Sequence, residues 1–176
     1  MKSLLVICFG LLLTISCNEK SKQQDIETDE VQESKLGEIT AADIESLKIL
    51  EFGLSIDGQK SVEDWGPFQT MILEIENLKS GDLNFFKQES EIIRTQIGEM
   101  NSSIPDNIKS KPIQARLLAL NTKLLLMNNL LRLQNISKSE KLESIREFLV
   151  AYSNLLLQIN KKLELDSNIN VQKTQS

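Results

Sequence analysis

Residues 61–166 predict an all-α fold, an antiparallel up-down bundle of about four helices, and three observations carry that reading. From Ser61 onward apolar residues recur at alternating steps of three and four, the spacing that gives a helix one buried stripe. Four such stripes follow one another. The connections after the second and third are short, which favours antiparallel neighbours crossing near 20°. Without its first 16 residues the chain keeps about 160, enough for one domain with its own core.

Ahead of the bundle, Met1-Lys2 leads into an apolar run from Leu4 to Leu13 and then Thr14-Ile15-Ser16-Cys17. The uncharged stretch from Ser3 to Ser16 is 14 residues long, short of the roughly 20 that cross a bilayer as a helix. It reads as an export signal and not as a span. Thr14-Ile15-Ser16-Cys17 resembles the bacterial lipobox, in which a small residue precedes the cysteine, although Thr14 stands where leucine is usual. The resemblance implies that Cys17 is lipidated with a diacylglyceryl group, that 1–16 is cleaved as a lipoprotein signal peptide, and that the new amino terminus is acylated with a fatty acid such as palmitate. One acyl chain binds a membrane only marginally, whereas the three implied here hold it. An ordinary signal peptide would leave a free thiol instead. Cys8 departs with the signal, so no disulfide can form within the mature chain. Asn18 is not the aspartate associated with inner-membrane retention in some bacteria, so the expected location is the cell envelope, at the outer membrane.

Residues 17–38 are expected to be the lipidated cysteine and a disordered acidic tether. Asn18 to Glu38 holds seven acids, three lysines and almost nothing to bury. About twenty such residues reach roughly 25 Å as a coil, at ~5 to 6 Å times the square root of length, and self-repulsion extends them further.

The formal charge of −5 becomes −6 once Lys2 is removed with the signal, which argues against nucleic acid or anionic lipid as the main partner. Histidine is absent. With it go the commonest general base, the commonest transition-metal ligand and the partner of a serine or cysteine triad. A glutamate-x-x-histidine metal motif cannot occur, and no glycine-rich phosphate loop is present. The expectation is a non-enzyme without catalytic, metal or cofactor-binding residues, and without a cofactor.

In 39–60, Thr40-Ala41-Ala42-Asp43 suggests a capped short helix over Ala41 to Leu50 followed by a loop, although Leu47 to Ile56 also carries strand-like apolar residues around Gly53. The first stripe is Trp65, Phe68, Ile72 and Ile75, with Met71 and Leu78 alongside, capped by Ser61 and carrying Pro67 near its start. Ser80-Gly81 stops it. The second begins at Ser80 or Asp82 and uses Leu83, Phe86, Ile93, Ile97 and Met100, interrupted on the stripe by Ser90, which marks close packing or a local water. Asn101 to Asp106 breaks the pattern before Pro112, which sits where a helix tolerates a missing amide hydrogen.

The third stripe is Ile113, Leu117, Leu120, Leu124, Met127 and Leu131, widened by Leu118, Leu125, Leu126, Leu130 and Leu133 to more than half the circumference. Gln114, Arg116, Asn121, Thr122, Lys123, Asn128 and Asn129 occupy the remaining sector. Such a helix packs against at least two neighbours or leaves leucines wet. The fourth stripe, capped by Ser137 or Ser139 with Glu140 or Glu143 in the first turn, is Leu142, Ile145, Leu149, Tyr152, Leu156, Ile159 and Leu163, widened by Phe148 and Leu155. Residues 167–176 have too little apolar content to dock and are expected to be a disordered tail.

The stretch from Phe52 through Trp65, with Ile104-Pro105-Asp106 and Phe148 to Asn154, is similar to small helical lipoproteins of Gram-negative bacteria, a group with no chemistry attached to it. Trp65 and Tyr152 lie on stripes and read as core-edge aromatics. Arg94, Arg116, Arg132 and Arg146 flank stripes and are expected to cover apolar surface with their stems while meeting glutamates. Asn101-Ser102-Ser103 and Asn135-Ile136-Ser137 match the glycosylation sequon but read as interhelical turns without sugar. The leading expectation is an envelope lipoprotein held to the membrane through its lipid anchor, whose bundle binds another protein, with a homo-oligomer as one variant and no nucleic acid. An alternative is an apolar ligand or lipid between the third and fourth helices, where leucine is in excess. The third, least favoured, is an enzyme using Glu140, Glu143 and Glu147, which share a helix face beside Lys141 and Arg146.

Overall fold

A computed structural model describes residues 37–174; the signal, Cys17 and the tether up to residue 36 lie outside the described residues. Helices alone organise this part, with no strand among the described residues, in agreement with an all-α fold. In order they are α1 (Ala41–Glu45), α2 (Ile56–Val62), α3 (Gly66–Lys79), a 3-10 turn (Phe85–Lys87), α4 (Ser90–Ser102), α5 (Lys111–Arg132) and α6 (Lys138–Thr174).

Local chemistry sets most of the boundaries. Thr40 and Asp43 form a capping box at the start of α1, and Ser137 with Glu140 does the same before α6, where the Ser137 hydroxyl donates to the Glu140 carboxylate over 2.7 Å. At Ser80-Gly81 the amide of Asp82 donates to the Asn77 carbonyl and that of Gly81 to Leu78, each over 2.9 Å, a Schellman closure of α3. Gly81 has φ +93°, and a side chain there would sit 3.0 Å from the Ala41 backbone nitrogen. Only glycine meets both demands.

Four segments depart from the sequence expectation. The helix expected over Ala41 to Leu50 stops at Glu45, because Lys48 turns the chain with φ +47° and the backbone beyond it bonds to α6 side chains instead of to itself. A helix that the periodicity did not indicate, α2, follows; Ser55 caps it and Ser61 lies buried inside it, so Trp65 and not Ser61 precedes α3. The second stripe splits into the 3-10 turn and α4, since the carbonyls of Phe86 and Gln88 accept from Asn128. The fourth helix runs through 167–174, where a disordered tail was expected; Ser167, Asn168 and Ile169 are exposed there.

Phe68 stacks on Trp65 with ring centroids 4.5 Å apart, and Phe86 meets Phe148 edge-on at 5.5 Å. Trp65 is wholly buried, deeper than a core edge, and its indole donates to the Met100 carbonyl over 3.1 Å. Pairs whose numbers rise on one helix as they fall on the other, Asn101 with Asn121, Ser90 with Asn128 and Glu89 with Arg132, run α4 and α5 antiparallel. The connection 133–137 returns α6 along α5, with Lys123 bound to Glu147 over 3.0 Å. Ile113, Leu117, Leu120, Leu124, Met127 and Leu131 all face the core, as the stripe required.

Asn121 and Asn128 do not belong to the solvent sector of α5 where the sequence placed them. Both are buried, at 4% and 0% exposed. Asn128 spends both amide hydrogens on the Phe86 and Gln88 carbonyls, each at 2.9 Å, and accepts from the Ser90 hydroxyl at 2.8 Å. Ser90 interrupts the stripe because its hydroxyl bonds Asn128 and accepts from Arg132. Asn121 donates to Asn101 over 3.0 Å, but its own carbonyl oxygen has no partner among the described residues.

Candidate functional site

Three surface features of the described chain can carry function: an extended strap over α6, two grooves beside it, and the outer face of α5. The strap is built by two polar side chains at heptad spacing on α6. Ser153 donates to the Leu50 carbonyl over 3.0 Å and accepts from the Phe52 amide over 2.8 Å. Asn160 repeats this with the Gly53 carbonyl, 2.8 Å, and the Ser55 amide, 2.9 Å. Extended backbone offers a carbonyl and an amide two residues apart on one edge. Two helical turns of α6 therefore supply partners for four backbone groups of the strap. Gly58 completes the clasp, because a side chain there would stand 2.7 Å from the Asn160 oxygen.

The larger groove, about 440 Å³, lies between the strap, α2 and α3, lined by Leu54, Ile56, Val62 and Ile72 with Lys60 and Glu63 at its edge. The smaller, about 330 Å³, is bounded by α1, the strap, the end of α3 and Leu149 of α6. Lys48, Lys79, Glu45 and Glu51 line it, and Lys79 is already bound to Glu51 over 2.6 Å. Nearby, Lys138 and the Thr40 hydroxyl hold the Asp43 carboxyl down at about 2 and tie α1 to the start of α6. Tyr152 is pushed up to about 12, first by burial and then by Glu76 and Glu51.

The glutamates considered for catalysis do not converge on one point. Glu140 is lowered by the Ser137 hydroxyl and amide that it caps, Glu143 by its hydrogen bonds with Arg146, and Glu147 is bound to Lys123. Each thus has a helix-end or surface partner. Of the arginines, Arg132 and Arg146 meet Glu89 and Glu143 as expected. Among the described residues no group of three acid, cysteine or histidine side chains could hold a metal, and no helix is long and apolar enough to cross a membrane.

Of the leucines that widen the α5 stripe, Leu118 is 67% exposed, Leu126 41% and Leu133, just past the helix end, 40%, whereas Leu125 packs against the core. Neither groove runs between α5 and α6, where the alternative reading places an apolar ligand. The strap and the larger groove were not readable in the sequence, beyond the strand-like run at Leu47 to Ile56. Cys17, the lipidation site, lies outside the described residues. Comparison with family models, curated proteins and solved structures finds no match for this chain.

Proposed function

We propose that the chain is a non-enzymatic lipoprotein of the bacterial cell envelope, anchored through acyl chains on Cys17, whose helices bind another protein. The observation that carries it is the charged start, short apolar run and small residue before Cys17. Its helical domain is an up-down bundle of α3 to α6, standing off the outer membrane on the tether. Confinement by the anchor raises the effective concentration of the bundle near a membrane-bound partner, so a modest contact suffices. The wet leucines of α5 support binding as the mode of action.

The test is the mass and location of the exported protein. Membrane-fractionated parent should carry the mass of acyl chains on a chain beginning at Cys17, and Cys17→Ser should leave the membrane fraction. A parent free of fatty acid, or a serine variant that partitions as the parent does, refutes the reading. A second reading follows from the larger groove, whose Leu54, Ile56, Val62 and Ile72 suit a small apolar ligand. Native mass spectrometry of delipidated protein distinguishes it: a co-purifying small molecule supports it, and a bare chain removes it.

A further inference from the structure

The outer face of α5 stands out in its composition as well as its exposure. Ala115, Leu118, Ala119, Thr122, Leu126 and Asn129 all face solvent at steps of three and four, an uncharged stripe about 21 Å long at 1.5 Å per residue. A solvent-facing stripe ordinarily carries the charges of a helix. Here the cations stand beside it or at its ends, as Lys111, Arg116, Lys123 and Arg132, and α5 contains no acid at all.

Two of those cations are already neutralised, Lys123 by Glu147 and Arg132 by Glu89. Lys111 and Arg116 have no ion-pair partner among the described residues. Both lie toward the positive end of the helix, whose first turn has no acid and whose Ser110 gives no side-chain cap. The N-terminal half of the stripe is therefore uncompensated positive charge around exposed leucine. A carboxylate-bearing partner answers that field.

The shape narrows the partner further. Ala115 and Ala119 flank Leu118 with room for another helix to approach, and anchors at three- and four-residue steps match the register of an amphipathic helix. A second copy of this chain laid on the stripe would bring only lysine and arginine from its own α5. A bilayer is disfavoured as well, because the stripe has no aromatic residue and the chain is acidic overall.

The geometry points to an acidic amphipathic helix of another protein, docked along α5 with Leu118 and Leu126 as buried anchors and its carboxylates on Lys111 and Arg116. This rests on the protein-binding reading above and names its surface. The test places a photo-crosslinking amino acid at Thr122 of the full-length protein in cells, with a second at Ile72 in the larger groove. The expected result is an adduct at Thr122 whose mass-mapped contact is an acid-flanked amphipathic segment of a different protein. Its yield should fall at least tenfold with Leu118→Asp plus Leu126→Asp, and several-fold with Arg116→Glu, at unchanged unfolding midpoint. An adduct with lipid, with a second copy or with a segment lacking acids overturns the proposal. A protein adduct from Ile72 with none from Thr122 overturns it too, but leaves the protein-binding reading standing. No protein adduct at either position defeats both.

Discussion

Truncating Asn128 and Asn121 separately to alanine removes the same atoms from two buried positions of one helix, yet the structure assigns them very different costs. Asn128→Ala strips donors from the Phe86 and Gln88 carbonyls and an acceptor from Ser90. At about 1 kcal/mol net per bond, and more for a group left buried and unpaired, that loss is about 3 to 4 kcal/mol. Asn121→Ala breaks a single bond to Asn101, which is exposed and can turn to water, and it deletes an oxygen that has no partner. Its loss is about 0.5 to 1 kcal/mol.

The cavity left behind and the better helix propensity of alanine are common to both variants and largely cancel in the comparison. Asn128→Ala should thus be the less stable of the two by about 2 to 3 kcal/mol. Urea unfolding followed by fluorescence measures this directly, because Trp65 is the only tryptophan and is wholly buried. The m-value should not change. A gap below about 1 kcal/mol, or a larger loss at Asn121, would show that the carbonyls of 86 and 88 do not depend on Asn128.

Gly58→Ala ought to gain about 1 kcal/mol from helix propensity, but the clash with the clasped Asn160 oxygen turns the sign, leaving the variant about 1 kcal/mol less stable. In an Asn160→Ala background the same substitution should become stabilising; an unchanged penalty there places its origin elsewhere. Leu124→Ala should cost about 2 to 5 kcal/mol as a core deletion, whereas Leu118→Ala, on the opposite face, should cost about 0.5 kcal/mol or less. Equal losses in equilibrium unfolding would contradict the orientation of α5. Tyr152 is the only tyrosine, so phenolate absorbance reads it alone. Its raised folded value, about 12 against an ordinary 10, contributes stability that is fully present below pH ~10 and is lost as pH rises toward 12. Ionisation near pH 10 with the fold intact would show that the ring is not enclosed.

Helices α3, α5 and α6 were legible because they depend on neighbours three and four residues away: their buried stripes, the Gly81 stop and the Ser137 cap all follow from such short-range patterns. The excess of leucine on α5 was legible for the same reason, and with it the choice between more neighbours and wet side chains. Which leucines stay wet was a tertiary decision, because it depends on where α4 and α6 dock. The buried asparagines were misplaced because residue type alone assigns them to water; the partners of Asn128 are carbonyls some forty positions earlier and that of Asn121 is a side chain twenty positions earlier, and only the packed chain delivers them. The strap was hidden for the same reason, since the bonds holding Leu50 to Ser55 come from side chains a hundred residues away. Charge, hydrophobic period and caps are written along the chain, whereas a buried polar group is satisfied through space.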